Sequence, residues 1–141
     1  MAINFSNDNI VFDLKQKAKL KAWITSVVKK EKLNLGQLNY TFMSDESLLK
    51  INIAYLKHNT YTDIITFNYN EGKKISGDIF ISIDRIKENA QKFKVDLQEE
   101  LHRVMIHGVL HLCGYKDKTK TDSDLMRKKE NASLLLLKRS K

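Results

Sequence analysis

The 141-residue chain has no proline, a single cysteine and only five glycines. Because no segment is rich in proline, serine or glycine, no linker divides the chain, and we expect one domain over residues 1–141. The lone thiol, Cys113, excludes an internal disulfide and fits a reducing cytoplasm. No apolar run approaches the ~20 residues that cross a bilayer, and the start of the chain lacks the pattern of a signal peptide. We therefore expect a cytoplasmic location and no membrane partner.

Acidic residues are fewer than basic ones, with 17 Asp and Glu against 25 Lys and Arg and a net charge of +8. This excess favours a polyanionic partner such as RNA or DNA. The alternative is that lysine is simply the default surface residue of this chain. Only four of the basic residues are arginine. Most of the charge is therefore on ammonium groups, which contact phosphates but read base edges less well than guanidinium groups.

Hydrophobic periodicity predicts a mixture of strands and helices. Alternating or β-branched segments predict four strands, at residues 3–5, 37–44, 62–69 and 77–83. Helical spacing and capping residues predict five helices, at residues 14–33, 44–55, 84–95, 96–113 and 121–137. Asp84 and Asp96 are the expected N-caps of the third and fourth helices. Together these elements predict an α+β fold, with a small mixed sheet of about four strands covered mainly on one face by about five helices.

Two histidines, His107 and His111, lie four residues apart in an apolar segment. Residues at this spacing stack on one face of a helix, so both imidazoles can point at one cation. Gly114 favours the left-handed turn that ends a helix, after which the chain can bring Asp117 to the same point. Two imidazoles and a carboxylate suit one Zn²⁺ per chain, with a fourth position open as in catalytic sites. The alternative is a pair of core histidines, each satisfied by a backbone carbonyl.

A zinc site with an open position indicates a metal-dependent hydrolase. The residue after the first histidine bears on which class of hydrolase this is. In zinc peptidases this position holds a glutamate that acts as general base, whereas here it is Gly108. A peptidase mechanism would therefore lack its usual base. Glu100 lies near the same helical face and is either a partner for an imidazole N–H or a surface charge. His58 and His102 are less favoured ligands, because one lies in a polar loop and the other on a different helical face.

The segment from His107 to Tyr115 resembles the signature of the YbeY-type endoribonucleases, His-Gly-x-Leu-His-Leu-x-Gly-Tyr-Asp-His. Lys116 and Asp117 stand where the family has its final Asp-His, which places the third ligand position on Asp117. Zinc accepts this exchange, since two histidines and one carboxylate form a standard catalytic set. Glu130 also matches the spacing that follows the motif in the family.

Other parts of the chain extend the resemblance. Residues 62–67, Thr-Asp-Ile-Ile-Thr-Phe, and residues 77–82, Gly-Asp-Ile-Phe-Ile-Ser, are similar to two strands of the family. Leu56 occupies the position of a family arginine thought to contact RNA, and Lys57 is the nearest cation. A lysine there supplies charge without the two-pronged geometry of arginine.

The resemblance implies a zinc-dependent, single-strand-specific endoribonuclease that trims rRNA near the 3′ end of the small subunit and supports ribosome quality control. Its implied partners are rRNA, the small ribosomal subunit and ribosome-associated proteins. His107 and His111 would act in catalysis through the metal, with Lys57 as a catalytic cation. Four lysines are expected to hold RNA phosphates, or else to be ordinary surface residues: Lys57, Lys116, Lys118 and Lys120.

Two other functions are compatible with the sequence. One is a zinc hydrolase of another substrate class, such as a phosphatase. The other is a metal-containing, ribosome-associated RNA-binding factor that cuts nothing, which Leu56 at the arginine position favours. Asp63 is expected either to make a structural hydrogen bond or to orient a ligand, and Tyr115 either to pack under the metal loop or to stack on a base.

Overall fold

The computed structural model describes residues 2–140, and every predicted strand and helix is present. The order along the chain is β1 (Ala2–Asp8), α1 (Lys17–Lys30), β2 (Asn34–Met43), α2 (Asp45–Ile51), a π-helical turn (Asn52–Leu56), β3 (Ile64–Asn68), β4 (Lys74–Ser82), α3 (Ile83–Phe93), α4 (Leu97–Leu112) and α5 (Lys120–Arg139).

The strands form one mixed sheet in the order β1-β2-β4-β3. The pairs β1–β2 and β2–β4 are parallel, whereas β3 runs antiparallel to β4. Parallel neighbours need a crossover connection, which α1 provides between β1 and β2. The structure confirms the predicted α+β fold, with a small mixed sheet of four strands and five α-helices within residues 2–140.

The N-cap of α3 lies earlier than predicted. The hydroxyl of Ser82 accepts a hydrogen bond from the Arg85 amide at 3.1 Å and caps the helix. Asp84 was expected in that role, but its carboxylate accepts from the Asp45 amide at 2.9 Å and so supports the start of α2. Asp96 caps α4 as predicted. Short polar side chains near a helix start compete for the free amides, and tertiary contacts decide which amide each one holds.

Helix α4 lies between the sheet and α5, and its apolar residues are buried almost all round. Gly108 lies against the sheet with no room for a side chain. A Cβ added there would lie 2.9 Å from Ile64 Cδ1 and 3.2 Å from Ile79 Cγ2. The glycine therefore lets α4 settle onto β3 and β4. A helix held on several sides keeps the side chains at its end in fixed positions, as a binding site requires.

Among residues 2–140, no helix combines the length and the apolar character needed to cross a membrane. The longest helix, α5, carries charged side chains along much of its length.

Candidate metal centre

Three predicted ligands meet at the C-terminal end of α4. The Nε2 atoms of His107 and His111 lie 3.2 and 3.3 Å from the same carboxylate oxygen, Oδ2 of Asp117. The two rings are nearly perpendicular, at 83°, and their centroids are 4.5 Å apart. The three ligand atoms lie within 4.8 Å of one another, and residues 2–140 contain no second group of this kind. One cation can therefore be shared by all three side chains.

The turn after α4 explains why the carboxylate returns to the histidines. Gly114 has a φ of +109°, a conformation that glycine adopts without strain. Its amide donates to the His111 carbonyl at 3.0 Å, and the Tyr115 amide donates to the Leu110 carbonyl at 3.1 Å. These bonds end the helix and reverse the chain. Asp117 is thereby brought back over the last turn of α4.

The Nδ1 atom of each ring makes a hydrogen bond on the side away from Asp117. Nδ1–H of His107 donates to the Glu130 carboxylate at 2.6 Å, and Arg103 donates to the same carboxylate at 3.0 Å. Nδ1–H of His111 donates to the Tyr115 carbonyl at 3.0 Å. Such bonds fix the tautomer, so that Nε2 of each ring is the atom left to bind a metal. Nothing in the pattern of α4 pointed to Glu130, which lies on α5; its match to the family spacing was the one available signal.

The charges around His107 and Glu130 reinforce this arrangement. Burial disfavours the charged His107 ring, but the hydrogen bond and negative charge of Glu130 outweigh it and raise the pKa of His107. Burial also disfavours an ionised Glu130, yet the bonds from His107 and Arg103 hold the pKa of Glu130 below its usual value. Glu130 therefore stays ionised near neutral pH and continues to accept the hydrogen bond from Nδ1–H of His107.

The backbone carbonyl that holds His111 is itself anchored. The phenol of Tyr115 donates to Glu31 at 2.6 Å, and Lys129 bonds the other Glu31 oxygen at 3.3 Å. The Lys129 ammonium also lies 5.3 Å from the centroid of the Tyr115 ring. Tyr115 thus packs between α5 and the end of α1 and positions the turn.

A cavity of about 350 Å³ opens beside the centre, and His107, Asp117 and Glu130 form part of its wall. Asp63 and Glu100 line it as well. Glu100 is neither the imidazole partner nor the surface charge that the sequence left open, because Glu130 holds His107 and Glu100 is buried. Burial, together with the negative charge of Asp63, raises the pKa of Glu100. Burial raises the pKa of Asp63 in the same way.

The remaining candidate ligands lie apart from the three-residue cluster. His58 is exposed on a loop. His102 is buried beside Trp23, with ring centroids 6.1 Å apart, and its Nε2 has no hydrogen-bond partner among residues 2–140. Cys113 is half-buried, and burial raises the pKa of its thiol to about 12. The thiol is therefore protonated at neutral pH and inert as a ligand or nucleophile.

Three of the predicted RNA-binding lysines follow α4. Lys116 and Lys118 flank Asp117 on the turn, and both are exposed. Lys120 begins α5, where its ammonium pairs with Asp124 at 3.1 Å. This places the positive charge of the turn next to the candidate metal ligand.

The fourth lysine lies on another segment. Lys57 is exposed and ends the π-helical turn with a left-handed φ of 57°. Its neighbours Leu56 and His58 line a second cavity of about 340 Å³. Ile64 of β3 lines both that cavity and the one beside His107, whereas Lys57 itself lines neither.

Two histidines and a carboxylate beside an open cavity form a donor set typical of metal-dependent hydrolases. Comparison with known proteins narrows this class. The model of the family Endoribonuclease YbeY matches residues 2–138. The chain therefore belongs to the YbeY family of endoribonucleases, as the resemblance of its motifs implies, and it is an enzyme that acts on RNA.

Individual relatives with this family name are similar in sequence over nearly the whole chain. An Endoribonuclease YbeY of Cytophaga hutchinsonii is 52% identical over 137 residues, which covers 96% of each chain. One from Bacteroides fragilis is 42% identical over 138 residues, covering 98% of this chain and 99% of the relative. The solution structure of TM1509 from Thermotoga maritima superimposes with a TM-score of 0.67 at 25% identity, covering 96% of this chain and 89% of that one.

Proposed function

We propose that this endoribonuclease depends on Zn²⁺, cleaves single-stranded RNA, and matures the 3′ end of small-subunit rRNA as part of ribosome quality control. One observation supports the metal site above all. Two Nε2 atoms and a carboxylate oxygen meet within 4.8 Å, while both Nδ1 atoms are already occupied. His107, His111 and Asp117 would hold the ion.

This donor set fits zinc, because two nitrogens and one oxygen leave a fourth coordination position for water or a phosphate oxygen. Zinc bound there would lower the pKa of water and polarise a phosphoryl group. RNA carries its own nucleophile in the 2′-hydroxyl. The missing glutamate after His107 is therefore no obstacle, and Gly108 serves close packing instead.

Positive charge around the centre supports an RNA substrate. Lys116 and Lys118 flank Asp117, Lys120 begins α5, and Lys57 ends the π-helical turn before β3. Ammonium groups bind phosphates without reading sequence, which suits contacts on either side of a scissile bond. Lys57 would act as the catalytic cation in place of the family arginine. The expected partners are rRNA, the small ribosomal subunit and ribosome-associated proteins in the cytoplasm.

Metal analysis of purified variants tests the ligand set. We expect close to one zinc per chain in the wild type and large losses in His107→Ala, His111→Ala and Asp117→Ala. His58→Ala is the matched control, because it removes an imidazole that lies outside the cluster, and it should retain its zinc. Zinc retained in Asp117→Ala would refute the assignment of the third ligand.

The salt dependence of RNA binding tests the lysines. Each lysine that contacts a phosphate of single-stranded RNA contributes about 0.7 to the slope of log K against log salt concentration. We therefore expect Lys116→Ala and Lys118→Ala each to flatten the slope by about that amount. Lys138→Ala, near the other end of α5, should leave it unchanged. Equal slopes in all variants would place the RNA elsewhere.

The ends of rRNA in cells test the biological role. Depletion of the protein should lead to accumulation of small-subunit rRNA with unprocessed 3′ ends, and wild-type protein should reverse this, whereas His111→Ala protein should not. Normal 3′ ends after depletion would contradict a role in rRNA maturation, even if the purified protein cuts RNA.

A further inference from the structure

Two carboxylates in the cavity beside the metal centre have no part in holding the histidines. Glu100 is 5% exposed, and its carboxylate makes no hydrogen bond to another residue of the described chain. Asp63 lines the same cavity and is close enough for its charge to act on Glu100. The Glu100 oxygens are not among the fully enclosed atoms that lack a partner, so they open into the cavity, where a donor on a ligand can reach them. The cavity thus offers acceptors to a ligand that carries hydrogen-bond donors.

The rest of the lining argues against a second metal ion. Within residues 2–140, Asp63 and Glu100 belong to no group of three potential metal ligands. Two guanidinium groups, of Arg103 and Arg127, share the cavity with them. Both face the Glu130 carboxylate, at 3.0 and 3.9 Å, and so neutralise part of the negative charge that a second divalent ion would need.

The rim of the cavity fits a nucleobase. Phe93 lies at the end of α3 with 55% of its surface exposed, and it lines this cavity. An exposed aromatic ring offers a stacking surface to an unpaired base. The volume of about 350 Å³ accommodates one nucleotide. Acceptors inside the cavity and an aromatic ring at its rim together describe a binding site for an unstacked base.

Guanine is the base whose edge matches these acceptors. Its Watson–Crick edge carries two adjacent donors, N1–H and the N2 amino group, which can both bond one carboxylate. The corresponding edges of adenine, cytosine and uracil place an acceptor next to each donor. We propose that the cavity is a guanosine subsite for the RNA substrate, in which Glu100, assisted by Asp63, accepts from N1–H and N2. This inference rests on the proposed cleavage of single-stranded RNA.

Defined oligonucleotides test the subsite. The zinc-loaded protein is given uridine 12-mers that carry one guanosine, inosine or adenosine at the centre; inosine lacks only the N2 amino group. We expect cuts at one fixed distance from guanosine, with kcat/KM about tenfold higher than for inosine, the scale of one bidentate base contact. Glu100→Gln should abolish this preference. Glu99→Gln, the same change at a neighbouring residue that pairs with Lys138, should keep it.

Binding of mononucleotides separates this inference from the proposed function. Guanosine monophosphate should bind about tenfold more tightly than inosine monophosphate in calorimetry, and Glu100→Gln should remove the difference. If that holds while no RNA is cut, the proposed function fails and the subsite stands. Binding that differs by less than twofold, or cleavage preference that survives Glu100→Gln, overturns the subsite whatever the activity. Asp63→Asn provides a second variant if Glu100→Gln does not fold.

Discussion

Replacing Glu130 by glutamine removes the negative charge that holds Nδ1 of His107 but keeps the shape of the side chain. In the wild type this carboxylate is 6% exposed and takes two short bonds, from His107 at 2.6 Å and from Arg103 at 3.0 Å. A glutamine has one carbonyl oxygen for two donors, and its NH₂ group opposes either of them. The His107 ring therefore loses its fixed orientation, or Arg103 loses its partner.

The contacts set the expected magnitude. Loss of a group that orients a ligating histidine lowers metal affinity about 10-fold to 100-fold, which corresponds to roughly 1.4–2.8 kcal/mol. In the zinc-free protein, Glu130→Gln removes a hydrogen bond to a charged group, which should lower the free energy of unfolding by about 1.5–3 kcal/mol. We expect the lower end of that range, because Arg103 is 19% exposed at its side chain and can turn to water in the cavity.

Two measurements check this expectation. Competition with a chromophoric chelator gives the Kd for zinc, and urea denaturation of the chelator-treated protein gives the free energy of unfolding. Asp124→Asn is the matched control, since it makes the same kind of change at an exposed position of α5. A Kd for Glu130→Gln within twofold of the wild type would refute the argument that Glu130 orients His107 as a metal ligand.

Three further changes test other parts of the fold. Gly77→Ala should lower the free energy of unfolding by about 2–3 kcal/mol in urea denaturation, because its Cβ would lie 2.5 Å from the Phe67 carbonyl oxygen; a loss below 0.5 kcal/mol would contradict this. Burial lowers the pKa of His102, so the unfolded chain takes up this proton more readily than the folded one and stability falls as the pH drops below about 6.5; His102→Leu should lose less stability between pH 7.5 and 5.5 than the wild type, and an equal loss would exclude His102 as the cause. Tyr115→Phe loses the bond to Glu31 and should cost about 1 kcal/mol in the same assay, with zinc affinity reduced less than tenfold; unchanged stability and affinity would show that the phenol does not anchor the turn.

The sequence predicts the parts of the molecule that depend on neighbours along the chain. The i, i+4 spacing of His107 and His111, the glycine at 114 and the carboxylate three residues later are local features, and the site follows from them directly. The strands were also found, because alternation of apolar residues is local. Their order in the sheet was not predicted, since pairing joins segments that are far apart in sequence.

The partners of the histidines show the same limit. Glu130 lies 23 residues from His107 on a different helix, so its role depends on how α5 docks against α4. Glu100, on α4 itself, was the candidate that helical geometry suggested, yet its side chain turns out to line the cavity. Gly108 drew attention as a missing general base, whereas the structure gives it a steric role that depends on Ile64 and Ile79.

Synthesis of the chain makes the two histidines proposed as metal ligands before it makes the Glu130 carboxylate that orients His107, because α5 follows α4. A nascent polypeptide that has released α4 alone carries the imidazoles but lacks the brace on His107. The affinity of the proposed site for an ion would thus reach its full value only when α5 has docked against α4.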